Sequence, residues 1–448
     1  MDTFHDFDFA IIGGGATGVL LALALLPRAA AGQRVALIEP GTPGQGVAYA
    51  TGDAAHLLNV PAGNMSAFAA RPDDFTDYLT TRDGKADAAA FMPRRDYAAY
   101  LGQRLAEARA ASAAELTHLA ASATAIQPES GRFHILLDDG GRLAAGRVAL
   151  ATGNHPRMLP FPAEPARVLA AWDEAAIARI GAEDDLAILG SGLSMVDVVL
   201  SLDARGHRGR ISVVSRHGLL PLPHPPRRQT LDIDIHALEA LSLRQRLGAL
   251  RAAAREAARQ GIGWQALMDA LRHHVRPLWR SLDAAGQRRF LRHAARHWDV
   301  HRHRIAPVVA ARLQARIDDG RLRVWAARIA DVATRDDGLA LDLRLRGGGR
   351  QRLSTAWLVN ASGIETRAEG FDDALLGGLL ASGLARPGPH GLGFDTDEDG
   401  ALIDAAGRAH PRLHAIGSPR LGTLWESTAI PDLRIDAAAL AERWLASP

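Results

Sequence analysis

The sequence predicts an α/β protein of two domains, each a mainly parallel sheet between helical layers, with a helical insertion in the second. Three observations predict it. The chain has 448 residues, about three times the ~150-residue prior for one domain. Twice, a short apolar strand runs into a glycine-rich turn and on into an apolar helix. Between residues 227 and 304, leucines recur at helical spacing (Leu238, Leu241, Leu247, Leu250) with arginines on the other face.

Composition narrows the classes. Hydrophobic residues make up 47% and charged residues 23%, a globular balance that argues against a disordered chain, a collagen or a coiled coil. Cysteine is absent, which excludes a disulfide framework, a thiolate metal site, a Cys nucleophile and a dithiol relay. Lys85 is the only lysine, so a Schiff-base enzyme has little to work with. The net charge of +2 gives no signal for nucleic acid. There is also no basic tail, zinc finger or aromatic-basic RNA motif, and no serine nucleophile elbow. The run Phe9 to Leu26 is nearly all apolar, but it lacks a basic leader and holds three consecutive glycines. A buried strand and helix explain it better than a signal or membrane span. A cytoplasmic protein without membrane or nucleic-acid partners is expected.

The first unit opens with Asp8 to Ile12 as a strand. Gly13, Gly15 and Gly18 follow in G-x-G-x-x-G spacing, and a helix runs from Val19 to Leu26. Gly13 permits the tight turn, Gly15 lets a pyrophosphate approach the backbone, and Gly18 lets helix and strand pack closely. Ala16 and Thr17 sit where the helix offers free N–H groups to phosphate. The next strand, Arg34 to Ile38, ends at Glu39, 21 residues beyond Gly18. A carboxylate there can accept from ribose hydroxyls. The unit reads as a Rossmann-like dinucleotide site.

The second unit begins 177 residues later. The strand Asp185 to Leu189 leads into Gly190, Gly192 and Ser194, and Met195 replaces the third glycine. Helix and strand must then sit further apart, or Met195 must point elsewhere. The following strand ends in Ser215, Arg216 and His217, where the first unit has an acid. Arg216 can pair with a ribose 2′-phosphate that an acid would repel. NADPH is therefore expected over NADH; the alternative is that Arg216 is a solvated strand-end charge.

Further segments carry a resemblance. They are Gly44 to Tyr49, His56 to Ser66, Val148 to Gly153, Trp357 to Gly363 and Ile416 to Pro431. Together with the two fingerprints they resemble the bacterial FAD/NAD(P)-binding protein family (YdhS-like), distantly related to flavin-containing and N-hydroxylating monooxygenases. The resemblance spans nearly the whole chain. It implies FAD on Gly13, Gly15 and Gly18, with Glu39 at the adenosine ribose and the Ala123 backbone at adenine. It also implies that Gly46, Asn59, Asn64, Met65 and Gly153 approach the flavin, as do Gly417, Thr423, Trp425, Glu426 and Pro431. Backbone N–H groups of the helix after Thr428 would face negative charge on the ring. His155, after Thr152, Gly153 and Asn154, falls where such proteins cross between domains near the flavin. The Phe-x-Gly-x-x-x-His fingerprint of the monooxygenases is not reproduced. The departures are Ser362, where the family often carries Thr, and Met195.

These readings place a discontinuous FAD domain at residues 1–160 and 355–448 and an NAD(P) domain at 161–354, with the helical insertion at about 225–306. The stretch 227–304 holds sixteen Arg against seven Asp plus Glu, seven of the eighteen His and three of the eight Trp. Its basic surface either attracts an anionic substrate, a partner or cofactor phosphates, or is a solvated face paired with the acidic remainder. It closes on His301, Arg302, His303 and Arg304. The two histidines are candidates for a substrate or flavin contact or for hydrogen bonding at a domain junction. No third ligand stands at metal spacing, so no metal is expected.

Two dinucleotide units in one chain suggest electron transfer between two dinucleotides. The expected activity is a single-component, FAD-dependent NADPH monooxygenase, with O2 as co-substrate and a small amine-type substrate, anionic if the basic module steers it. The alternatives are a reductase passing electrons to a quinone or protein, and a non-catalytic FAD redox sensor. Substrate and oligomeric state are not legible.

Overall fold

The computed structural model describes residues 5–446. The chain divides into two compact units. The first comprises residues up to Gly52, Pro61–His155 and the chain from Glu365 onward, and the second comprises Asp53–Val60 and Pro156–Ile364.

The sheet of the first unit is mainly parallel. Its order is Ala401–Ile403, Ala409–Ala415, Arg142–Leu150, His5–Ile12, Arg34–Ile38, Glu115–Leu119. The strand Ala401–Ile403 is antiparallel to its neighbour. The hairpin Ala123–Glu129 with Arg132–Leu137 joins antiparallel to Arg142–Leu150. His5–Ile12 lies centrally, in register with Val35 to Ile38 on one side and with Leu143 to Leu150 on the other. Strands covered on both faces read as continuous apolar runs, and Ala10, Ile11, Leu37, Val148 and Leu150 are fully buried. The helix Ala16–Leu25 is apolar all round because it is buried all round. The C-terminal helix Ile430–Ala446 packs along it. Trp444 of that helix stacks on Phe9 with ring centres 5.5 Å apart. The apolar run that resembles a membrane span is thus a central strand and a sandwiched helix, and among the described residues no helix is long and apolar enough to cross a membrane.

The Trp444 indole N–H donates to His414 Nδ1 at 3.3 Å. That nitrogen must be unprotonated, and burial drives the His414 pKa down to about 4. The unfolded chain takes up this proton near the usual ~6.5. The contribution of neutral His414 to stability is therefore complete above ~6.5 and disappears as pH falls toward 4. Thermal midpoints measured from pH 7 to 4 should fall, and His414→Gln should flatten that slope while lowering the midpoint at pH 7.

The second unit has a seven-stranded sheet in the order Arg350–Thr355, Gly338–Leu345, Leu322–Arg335, Ile211–Ser215, Leu186–Leu189, Trp357–Asn360, Val168–Ala170. The last five strands are parallel, and the first two add as antiparallel edges. Two boundaries differ from expectation. Trp357–Asn360 pairs between Leu186–Leu189 and Val168–Ala170, so the return to the first unit falls at residue 365, not 355. The segment Asp53–Val60 also groups with the second unit. Ser201 Oγ donates to Asp53 at 2.8 Å, and His56 Nε2 lies 2.8 Å from Ser201 Oγ and 3.1 Å from the Asp197 carbonyl. The Ser201 proton goes to Asp53, so His56 donates rather than accepts. This Asp–Ser–His group ties a loop to the helix Leu193–Ala204 and is not arranged as a nucleophile with its base.

Between Ile211–Ser215 and Leu322–Arg335 lies the expected insertion. Its main helices are Leu243–Arg259, Trp264–Leu271, Ala284–His293 and Ala295–Arg302. Arg304, 2% exposed, closes it by pairing with Asp269.

Candidate nucleotide sites

The first glycine loop is built by close approach. Gly13 has φ +97°, and a Cβ there would stand 2.4 Å from the Ala151 carbonyl oxygen. A Cβ on Gly18 would stand 1.9 Å from the Gly13 oxygen, so helix and strand pack where no side chain fits. Gly15 faces Gly46, whose own φ is +49°. The helix that starts at Ala16 and Thr17 has no capping side chain and no acid in its first turn. Its first N–H groups are left for an outside acceptor, which fits a pyrophosphate. Glu39 stands at the adjoining strand end. Its carboxylate accepts from the N–H of Gly14 at 2.7 Å and of Gly41 at 3.0 Å, which holds it against the loop with lone pairs remaining for hydroxyl donors. Glu39 N–H donates to Leu119 O, so the approach to Ala123 begins at the same sheet edge.

The C-terminal block closes on this loop. Gly417, at φ +79°, packs against Thr17, since a Cβ there would meet the Thr17 side chain at 3.4 Å. Ser418 Oγ donates to Asn154 Oδ1 at 2.6 Å, beside Gly153. Ser427 Oγ donates to the Gly417 carbonyl at 2.9 Å. The intervening Thr423, Trp425 and Glu426 are half-buried, and Glu426 holds a left-handed φ of +64°. Pro431 occupies the first turn of Ile430–Ala446, from which Arg434 donates to the Ser66 carbonyl at 2.9 Å. That contact brings in Met65 and the turn Ala62–Asn64. The buried hydroxyls of Thr152 and Thr423 have no hydrogen-bond partner. Buried hydroxyls in such a state fit a missing polar ligand.

The predicted loop Asn59 to Ser66 does not act as one piece. Asn59 groups with the second unit, where its carbonyl lies 2.9 Å from His224 Nε2. Burial drives the His224 pKa down to about 4, so the ring is neutral and donates. Ala123 opens the hairpin strand Ala123–Glu129, opposite Leu137. His155 ends the first unit's central segment, half-buried against Phe371 at 5.9 Å, its pKa lowered by burial. His301 and His303 belong to the insertion. The His301 ring packs edge-on to Trp264 at 4.7 Å, and His303 caps the helix Ala295–Arg302. Among the described residues no three His, Asp or Glu gather at metal distance.

The second glycine loop repeats the geometry of the first. Gly190 has φ +107°, and a Cβ there would stand 2.0 Å from the Ala361 carbonyl oxygen. Gly192 opens a helix without a capping side chain or first-turn acid, and nothing lies within 4 Å of its Cβ position. Ser194 Oγ accepts from Trp172 Nε1 at 3.0 Å. Met195 is fully buried, so this helix start accommodates a side chain where Gly18 leaves room for none. At the strand end Ser191 Oγ donates to the Leu219 carbonyl at 2.7 Å and lies 2.9 Å from Ser215 Oγ. Arg216 is exposed and has no ion-pair partner among the described residues.

Three neighbours of Arg216 were not legible. Arg296, from the insertion, donates to the carbonyls of Ser191 and Leu219, each at 3.1 Å. Arg346 donates to His217 Nδ1 at 2.8 Å, and His297 stands 6.1 Å from the His217 ring. Burial, with the guanidinium groups of Arg346, Arg216 and Arg296 near by, holds the His217 pKa below its usual value. A strand end at which Arg216, Arg296 and Arg346 gather around His217 fits a phosphate.

A family model described as FAD-NAD(P)-binding matches residues 10–155. The match runs from the first strand through the glycine loop and Glu39 to His155. This segment is similar to FAD-NAD(P)-binding domains. No curated protein shows significant sequence similarity to the chain. Among solved structures, the chain is similar to the ornithine N-hydroxylase of Kutzneria sp. 744. Identity is 16%, the TM-score is 0.67, and 98% of this chain and 99% of that one are covered. It is similar to the cadaverine monooxygenase of Erwinia amylovora at 15% identity and TM-score 0.66, covering 99% and 95%. It also resembles thioredoxin reductase of Lactococcus lactis at 14% identity and TM-score 0.52, covering 98% and 97%. These likenesses show a shared fold.

Proposed function

We propose that the protein is an FAD- and NADPH-dependent monooxygenase that hydroxylates the amine of a small substrate. The observation that carries this is the pairing, in one cysteine-free chain, of two uncapped glycine-loop helix starts whose strands end differently. The first ends at a carboxylate suited to a ribose and the second among cations suited to a phosphate. The fold is shared with amine hydroxylases and with a thioredoxin reductase, but a dithiol reductase needs cysteines that this chain lacks.

Bound FAD would supply hydride acceptance from NADPH and activation of O2. The chain's own residues supply the binding. Gly13, Gly15 and the helix start at Ala16 would seat the FAD pyrophosphate, and Glu39 would hold the adenosine ribose. Thr152 and Thr423 offer donors that nothing else uses. Gly190, Gly192 and Ser194 would seat the second pyrophosphate, with Arg216 and Arg346 at the 2′-phosphate.

The test is a coupled assay on purified protein with NADPH, O2 and a panel of ornithine, lysine, cadaverine and putrescine. Hydroxylamine formation matching NADPH oxidation with one of them is the expected result. NADPH oxidation that yields only hydrogen peroxide across a broad amine panel, with rapid quinone reduction, would establish a reductase instead.

A further inference from the structure

The helical insertion contains a cavity of about 910 Å³, lined wholly by its own residues. That is at the upper end of the ~300–1,000 Å³ typical of small-molecule sites. Its floor is apolar, formed by Leu247, Leu250, Trp264, Leu267, Phe290 and Trp298. The module's leucine cluster buries Leu238, Leu267, Leu271 and Leu278 and leaves Leu250, Met268 and Trp298 only partly covered. Apolar side chains are therefore held open around a space that the module's own packing does not fill.

Arginines stand on the rim. Arg244 and Arg251, seven residues apart on the face that carries Leu247, line it from one helix. Arg289, His293, His297 and His301 recur every fourth residue along the facing pair of helices. The two acids of the lining are engaged elsewhere: Glu239 lies 3.5 Å from His236, and Asp283 caps the helix at Gly286. Arg244, Arg251 and Arg289 have no ion-pair partner among the described residues. An apolar floor under unpaired cations is complementary to a molecule with an apolar body and one negative head.

We propose that the insertion binds an amphipathic monoanion, a free medium- or long-chain carboxylic acid. Its chain would lie on the leucine and tryptophan floor and its carboxylate against Arg244, Arg251 and Arg289. This site is independent of the reaction proposed above, and its readout is binding heat rather than turnover. Isothermal titration of the full-length protein with sodium octanoate, decanoate and laurate, below their micelle concentrations, should show saturable 1:1 binding. Affinity should rise about tenfold for each two added methylenes. The combined change Arg244→Ser, Arg251→Ser and Arg289→Ser should weaken laurate at least ~10-fold and leave decanol unchanged. Ala254→Trp, which fills the cavity, should abolish binding of both, with far-UV circular dichroism confirming the fold of each variant. Linear heats with laurate, equal affinity for decanol and decanoate, or binding confined to phosphatidylglycerol vesicles would each overturn the assignment.

Discussion

Gly13→Ala should yield folded but nearly colourless protein, whereas Gly190→Ala should keep its flavin and lose reduction by NADPH. The two substitutions are chemically identical and act on equivalent turns. At Gly13 a methyl group would stand 2.4 Å from the Ala151 carbonyl oxygen, and at Gly190 it would stand 2.0 Å from that of Ala361. Both positions also hold φ near +100°, where an L side chain costs about 1–3 kcal/mol before any clash. The turn must therefore open. In the first unit that displaces the helix start at Ala16 and the N–H of Gly14 that fixes Glu39, so the groups suited to the pyrophosphate and ribose move together. Flavin content per polypeptide should fall at least ~10-fold. In the second unit the first loop is untouched, so flavin content should stay near that of the parent while the rate of anaerobic reduction by NADPH drops ~100-fold or more. Loss of flavin in both variants, or in neither, would mean that the two loops do not hold separate dinucleotides.

Why the glycine loops were legible while their surroundings were not follows from distance along the chain. The turn, the helix start and Glu39 lie within 27 residues, and each is dictated by local sterics and by the period of the apolar residues. Arg296 reaches the Ser191 carbonyl from 105 residues away, through an insertion whose sixteen arginines look alike in sequence. His224 and Asn59 meet across 165 residues, and nothing in either segment signals the other. The split of the Asn59 to Ser66 segment has the same origin. Pro61 to Ser66 is held by Tyr100, whose hydroxyl accepts from the Ala67 N–H at 3.0 Å, and by Arg434. Asp53 and His56 are held by Ser201. Trp357 to Asn360 is a four-residue strand whose first three residues are apolar, and only its pairing partners reveal which sheet it joins. Met195 shows the converse. It departs from the glycine pattern, yet its side chain is absorbed in the interior and a Cβ at Gly190 would stand as close to a facing carbonyl as one at Gly13.

On the proposed function, Arg216 faces the 2′-phosphate of NADPH, and reversing its charge should reverse the preference between the two nicotinamide nucleotides. The parent protein should use NADPH with a kcat/KM at least ~10-fold above that for NADH, and Arg216→Glu should lower the NADPH value ~100-fold while leaving NADH within a few-fold. A charged, geometrically matched hydrogen bond is worth about 1.5–3 kcal/mol, or ten- to hundredfold in rate constant, and reversal adds repulsion to the loss. Arg216→Gln should cost less, because Arg346 remains at the same strand end, hydrogen-bonded to His217. His217 itself contributes little charge: its Nδ1 accepts that hydrogen bond, and burial together with the surrounding cations keeps the ring neutral near pH 7. The preference should therefore be flat between pH 6.5 and 8. It should weaken with salt for NADPH and not for NADH, since an exposed guanidinium facing a phosphate is screened within a Debye length of ~8–10 Å. Steady-state kinetics with both nucleotides at low and high ionic strength read all of these at once. A parent protein that favours NADH at low salt would show that Arg216 is a solvated strand-end charge and that the cations gathered around it serve the loop rather than a phosphate.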